Sequence, residues 1–192
     1  SSSVSLEPAS WSLDHFGEKL IATVKNGKIF EWNPIHADPL ALTARATIVS
    51  NAPTKSIMSI ISERDRHLIV LGTETTVGSP STQDPMFIRF SDQETISDYT
   101  PTSVNTAGTF RLDSGTTIVG AAKAKDYIFI VTDTSAYVIQ FVWPPFTFSV
   151  RQVGSNCGLI GQHAIKYING RVWWMGQAGG FFVYDGTVKS VP

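Results

Sequence analysis

The stretch AIKYINGRVWWMGQAGGFFVYDG, residues 164–186, decides how the chain is to be read. Ala164 to Ile168 is a β-prone run, and Asn169-Gly170 follows it. Both residues of an Asn-Gly pair tolerate positive φ, so the dipeptide predicts a tight hairpin turn. Arg171 to Met175 returns, a glycine-rich segment reverses the chain, and Phe181 to Tyr184 runs on to Asp185-Gly186. Three strands and two tight turns make an antiparallel meander.

The same pattern recurs toward the N-terminus. Leu20 to Val24, Asn26-Gly27 and Lys28 to Trp32 read as a second hairpin of this kind, which Pro34 ends. His67 to Leu71 matches Met86 to Phe90 across a polar loop, and Tyr127 to Val131 matches Ala136 to Val142. No window of a dozen residues holds a 3.6-residue apolar period, and Leu40, Leu42, Ala44 and Ala46 fit a period of two as well. The expected fold class is all-β, built of antiparallel β-meander blades, a β-propeller or a segment of one. About four blade-like units are expected, near residues 11–34, 48–92, 110–150 and 153–188. Their first strands read as starting at 20, 67, 127 and 164, spacings of 47, 60 and 37. Propeller blades run about 40–45 residues. A β-sandwich of eight to ten strands is the competing architecture.

Composition narrows the function. The 192 residues carry 15 basic and 16 acidic side chains, a net charge of −1, which leaves no polybasic footprint for nucleic acid. Charged residues are 16% of the chain, against about 25% in an ordinary soluble domain. A single cysteine excludes a disulfide framework and a cysteine-rich zinc module. The longest uncharged stretch, Thr134 to Val150, is broken by Pro144-Pro145 and alternates like a strand, so no membrane span is expected. The opening SSSVSLEPASW and the closing KSVP lead to the expectation that this is part of a longer protein.

No catalytic, cofactor or metal residue is assigned. Cys157 sits in Gly154-Ser155-Asn156-Cys157-Gly158, but a nucleophile elbow needs its nucleophile where Asn156 stands. Packing is the expected role of this thiol. Gly154, Gly158 and Gly161 have the wrong spacing for a phosphate loop and read as turn glycines. Asp92, Glu94 and Asp98 read as a solvated polar turn rather than a calcium loop. His15, His36, His67 and His163 share no ligand spacing and read as surface or capping histidines. Trp143 to Phe148 and Val172-Trp173-Trp174-Met175 place large rings on alternate faces, so both faces are expected to be covered, by a neighbouring blade or another subunit.

A series of motifs carries a resemblance. Trp11 to Trp32 (WSLDHFGEKLIATVKNGKIFEW) includes Trp11, Asp14, Gly17, Asn26, Gly27 and Trp32. Ile88-Arg89-Phe90-Ser91-Asp92, Asn105 to Gly108 and Arg111-Leu112 follow. Next come Ile130 to Thr134, Ala136-Tyr137 and Pro144-Pro145-Phe146. The series ends with Gly154 through Cys157 and Gly158 to Gly161, the strand bearing Trp173 and Trp174, and Phe182 through Asp185-Gly186. In order and approximate spacing it resembles the tail nozzle family of short-tailed bacteriophages, also called tail tubular protein B or packaged-DNA stabilisation proteins. The resemblance implies a propeller-containing structural virion protein in a homo-oligomeric, usually hexameric, ring at the distal tail. It implies docking to an upper tail or adaptor ring and to fibres or spikes. Packaged DNA would be retained behind the ring and would pass through it on ejection, without sequence-specific binding. It implies no catalytic residues and no cofactor, with assembly in the host cytoplasm. The alternatives are a carbohydrate-binding or glycan-cleaving propeller and a cellular scaffold propeller.

Overall fold

The computed structural model describes residues 10–34, 45–142 and 146–192. Among them, four four-stranded antiparallel sheets follow one another along the chain. Sheet 1 holds β1 (Trp11–Phe16), β2 (Lys19–Val24), β3 (Ile29–Trp32) and β4 (Thr47–Ile48). Sheet 2 holds β5 (Met58–Ser62), β6 (His67–Leu71), β7 (Phe87–Phe90) and β8 (Gly108–Arg111). Sheet 3 holds β9 (Ile118–Lys123), β10 (Ile128–Thr132), β11 (Ser135–Phe141) and β12 (Phe148–Ser155). Sheet 4 holds β13 (Ile165–Ile168), β14 (Arg171–Met175), β15 (Phe181–Tyr184) and β16 (Val188–Val191).

Each sheet is a plain meander, and the first strands pack in series: β1 on β5, β5 on β9, β9 on β13. The sheets are therefore blades stacked face to face around the edge formed by their first strands. This is the blade arrangement of a β-propeller or of a segment of one. No helix among the described residues is long and apolar enough to cross a membrane.

Three apolar clusters hold the stack, one per sheet junction. Ile21 and Ile29 meet Ile61, Leu68 and Val70 between sheets 1 and 2. Ile60, Ile69, Leu71, Ile88 and Phe90 meet Ile118, Ile128, Ile130 and Ile139 between sheets 2 and 3. Phe129, Val131 and Val138 meet Ile165, Val172, Trp174 and Tyr184 between sheets 3 and 4. Sheets 2 and 3 are thus covered on both faces. That is why every residue of β6 (HLIVL) and of β10 (IFIVT) is buried. Among the described residues, sheets 1 and 4 are covered on one face. In β14, Val172 and Trp174 are buried while Arg171, Trp173 and Met175 are exposed.

The blade phase differs from the sequence expectation. The strands read as starting at 20, 67 and 127 are the second strands of sheets 1, 2 and 3, whereas the one at 164 is the first strand of sheet 4. The true first strands begin at Trp11, Met58, Ile118 and Ile165, which are 47, 60 and 47 residues apart. The sheets accordingly span residues 11–48, 58–111, 118–155 and 165–191, not 11–34, 48–92, 110–150 and 153–188. The first strand of sheet 3 is hard to read because it is packed at the crowded inner edge. In β9 the run Gly120-Ala121-Ala122 replaces large residues, and a Cβ at Gly120 would lie 2.7 Å from the Gln162 carbonyl oxygen.

The two Asn-Gly pairs also part company. Asn169 and Gly170 both have positive φ (50° and 79°) and close a two-residue hairpin between Ile168 and Arg171. At Asn26-Gly27 only Asn26 has positive φ, at 58°, and the paired strands stop at Thr23 and Ile29. Gly27 is needed there for space, because a Cβ would run into the Val24 side chain. The freed backbone pairs instead with Ser56 of the linker to sheet 2, Asn26 N–H donating to Ser56 O at 2.7 Å and Ser56 N–H to Gly27 O at 3.2 Å.

Candidate functional site

The inner edge gathers a polar cluster drawn from the first three sheets. Asp14 on β1 accepts the Ile61 N–H of β5 at 2.8 Å through Oδ2. Its Oδ1 accepts Lys123 Nζ of β9 at 2.7 Å. The same ammonium donates to Glu63 Oε1 at 2.8 Å, and His15 Nε2 lies 3.3 Å from that oxygen. One lysine therefore ties together groups from sheets 1, 2 and 3. The hydrogen bond from Lys123 is the main reason the Glu63 carboxyl is held below its ordinary value, against the opposing effect of burial. Asp14, His15 and Glu63 place ligand atoms within 4.8 Å of one another. The Lys123 ammonium lies between the two carboxylates and hydrogen-bonds both, so it ties the three sheets together as a structural staple. Beside it, a groove of about 450 Å³ runs along the first strands past Ser12, Ser59, Gln162 and Tyr167. Ser10 reaches across to sheet 4, its Oγ 3.0 Å from Gln162 Oε1 and 3.3 Å from His163 Nε2.

A second polar cluster lies in sheet 2. His67, read from sequence as a surface or capping histidine, is completely buried at the start of β6. Its Nδ1 lies 2.8 Å from Asp65 Oδ2 and its Nε2 lies 2.9 Å from Thr106 Oγ1. Thr106 donates its hydroxyl to Asp92 Oδ1 at 2.7 Å and its N–H to the same oxygen at 2.8 Å, and its Oγ1 accepts the Gln93 N–H at 2.9 Å. Asp92 is thus not part of a simply solvated turn. Burial raises its carboxyl, but the Thr106 hydrogen bonds outweigh that and hold it below the ordinary value. The hydroxyl of Thr106 is fully engaged and offers no free nucleophile. This Asp-His-Thr-Asp chain pins the loop between β7 and β8 to the sheet. His36 lies outside the described residues.

The motif residues take structural posts spread over the fold. Trp11 lies on the outer face of sheet 1, 45% exposed, tilted against Phe30 at 6.0 Å. Gly17 turns β1 into β2, beside Phe16, whose ring carries the Arg66 guanidinium at 4.7 Å. Trp32 ends β3 on the same outer face as Trp11. Gly154 stands opposite Ala136 where the β11–β12 ladder slips register. Cys157 is buried between sheets 3 and 4, and burial pushes its thiol up to about 11. Its carbonyl accepts the Trp174 indole N–H at 2.8 Å. Gly158 lies so close to the Asp133 backbone that a Cβ would collide with it. Trp174 is 2% exposed and stacks on Phe182 at 5.5 Å, whereas Trp173 points the other way and is 36% exposed. Among the described residues, one face of this strand is covered, by sheet 3, and the face bearing Trp173 is exposed. Asp185 and Gly186 turn β15 into β16, and the hydrogen bond from Lys189 holds the Asp185 carboxyl below its ordinary value. Pro144 and Pro145 lie outside the described residues.

The lysine staple was not visible from sequence, since nothing in the spacing of Asp14, Glu63 and Lys123 marks them as neighbours. A signal for the histidine existed: Asp65-x-His67 opens an uninterrupted apolar strand, which places the imidazole beside a carboxylate at the edge of a fully covered sheet.

No protein-family model matches the chain, and no curated protein matches it. Among solved structures, Hsv2 of Kluyveromyces lactis superposes on 91% of the chain with a TM-score of 0.48 and 9% sequence identity. The matched part spans 44% of the Hsv2 chain.

Proposed function

We propose that the chain is a non-catalytic structural propeller segment of the short-tail nozzle type, part of a virion ring that retains packaged DNA and forms its exit path. One observation carries this reading. Among the described residues, those of the nozzle-like motif series are spread over all four sheets, mostly at strand ends, turns and blade junctions; Asp133, Thr134, Asn156, Gly158 and Phe182 share an open pocket, but it brings together no nucleophile–base pair. An enzyme's signature residues gather where the reaction occurs. A scaffold's signature residues are distributed in this way.

The inner edge supports the same reading. Asp14 and Glu63 outnumber Lys123 here, so this cluster is weakly acidic and offers a passing polyanion no cationic contact that would add affinity and salt dependence. In this reading the partners are further copies of the chain, an upper tail ring, and fibres or spikes. The test is particle composition and imaging. The expected result is density for these four sheets in a ring at the distal end of a short tail. A protein that is absent from every purified particle, or that turns over a polysaccharide through one of its carboxylates, overturns the reading.

A further inference from the structure

Counting hydrogens in the buried cluster of sheet 2 singles out one side chain. Three contacts run in series: Asp65 Oδ2 to His67 Nδ1 at 2.8 Å, His67 Nε2 to Thr106 Oγ1 at 2.9 Å, and Thr106 Oγ1 to Asp92 Oδ1 at 2.7 Å. Each contact needs a hydrogen of its own. The Thr106 hydroxyl supplies one and a neutral imidazole supplies one, while ionised carboxylates supply none. Two hydrogens cannot fill three contacts. The cluster therefore holds one further proton.

The surrounding bonds place it. Asp65 Oδ1 accepts the Ser62 hydroxyl, and Asp92 Oδ1 accepts the Thr106 N–H at 2.8 Å, so both carboxylates already act as acceptors. The imidazole is left as the carrier, with hydrogen on both nitrogens. His67 is completely buried, with the rings of Phe148, Phe141 and Phe90 lying 5.3, 6.0 and 6.2 Å away, so a ring N–H without its acceptor would find no solvent. Phe141 and Phe148 are what sheet 3 sets against the ring. The neighbouring arginines are engaged elsewhere, Arg64 facing Asp126 at 4.0 Å and Arg66 pairing with Glu94.

We propose that His67 is a proton-operated latch on the loop between β7 and β8. With hydrogen on both ring nitrogens it holds Thr106; when one proton passes to water as the pH rises, that contact is lost and the end of the loop is released. The chain decides which contact breaks. Asp65 and His67 stand two residues apart in the β5–β6 hairpin, where Ser62 pairs with His67, so the turn fixes their contact. Thr106 is 39 residues away. An imidazole that keeps its one hydrogen on Asp65 turns a lone pair toward Thr106 Oγ1, whose own hydrogen is given to Asp92. Two lone pairs then face each other, and the loop side yields.

Thr106 is where this segment rejoins the fold. Residues 100–104 are exposed, Val104 by 93%. The tie from Thr106 to sheet 3 is the Thr147 hydroxyl, which donates to the Thr106 carbonyl at 2.9 Å. Thr106 and Gln93 also form one wall of a cavity of about 220 Å³, with Phe141, Val142 and Thr147 opposite. Release of the loop widens that cavity toward the rings packed on His67. The latch lies within one sheet and operates whatever assembly the chain serves.

NMR of the purified, nitrogen-labelled chain from about pH 5 to 9, a range that brackets the ordinary imidazole value, tests the latch. Two ring N–H groups are expected on His67 at the acid end, with one lost on raising the pH. At the same midpoint the Gln93 and Thr106 amides are expected to lose about tenfold or more of their protection, taken relative to an unfolded chain at each pH, while the β6 amides keep theirs. Thr106→Val removes the acceptor but keeps the N–H to Asp92; it is expected to leave the Gln93 amide unprotected at every pH and to abolish the step. Thr106→Ser keeps the hydroxyl and is expected to keep the step. Both substitutions lie on the loop, and β6 protection reports that the sheets are intact. A loop that stays protected across the range overturns the proposal, whether the imidazole keeps both hydrogens or has lost one. So does a step that Thr106→Val retains, or one in which β6 loses protection together with the loop.

Discussion

Strands β10 and β14 are both second strands of their blades, and both are rich in large apolar residues, yet they live in different surroundings. In β10 all five residues are buried, because sheets 2 and 4 lie on its two faces. In β14 burial alternates, because only sheet 3 covers it. Propensity cannot tell the two apart. What separates them is position in the stack: a strand's composition states which faces can be covered, and its place in the series decides which faces are.

The neighbours Trp173 and Trp174 give the sharpest way to break this contrast. Trp174→Ala is expected to cost about 3–5 kcal/mol, since it empties the junction around Phe129 and Phe182, while Trp173→Ala costs about 1 kcal/mol or less. Urea denaturation with unchanged slope reads both values. Equal losses would mean that the outer face of sheet 4 is covered in solution.

The same contrast holds between an interior and an end sheet. Ile130→Ala, between sheets 2 and 3, is expected to cost about 2–5 kcal/mol, and Leu20→Ala, on the outer face of sheet 1, within about 0.5 kcal/mol at concentrations where the chain is monomeric. A concentration-dependent penalty at Leu20 would sharpen the comparison, because it would assign the loss to an intermolecular contact.

The inner-edge staple gives a smaller effect. Lys123→Met removes a partly exposed ammonium and leaves Asp14 its bond from Ile61, so a loss of about 1 kcal/mol is expected. The Glu63 carboxyl is expected to titrate at higher pH in this variant, since Lys123 is the chief cause of its depression. Carboxyl chemical shifts followed through a pH titration check that direction.

The smallest effect is in acid. Asp92 has its folded pKa below the unfolded value, so its contribution to stability is present above the ordinary carboxylate pKa of about 4 and is lost as pH falls through the folded value. The urea midpoint is expected to be flat between about pH 7 and 5 as far as this group is concerned and to drop below about pH 4. Asp92→Asn should reduce that drop, and an unchanged acid limb would remove Asp92 from the account.

Much of the architecture was legible because each blade advertises its middle strands. His67 to Leu71, Tyr127 to Val131 and Arg171 to Met175 are apolar runs bounded by turns, and all lie in strands or at their ends. The outermost strands escaped notice for a physical reason. Thr47–Ile48 is two residues long and Gly108–Arg111 begins with glycine, so pairing with a neighbour, not propensity, makes them strands. Of the inner strands, β13 was legible as the run Ala164 to Ile168, whereas β9 escaped because its Gly120-Ala121-Ala122 run, packed against the Gln162 backbone, carries little β signal. The polar staples were the least legible. Asp14, Glu63 and Lys123 meet only because three blades converge, and no spacing rule spans that distance along a chain.

Cys157 turns one of these junctions into a gauge. The lone thiol lies between sheets 3 and 4 and stays covered as long as sheet 4 remains seated. Its rate of modification by a soluble disulfide therefore clocks how often the last blade lifts away, in a chain where no second thiol blurs the reading. A clock that runs faster than global unfolding would show that the stack opens leaf by leaf, and one that keeps pace with it that the four sheets part together.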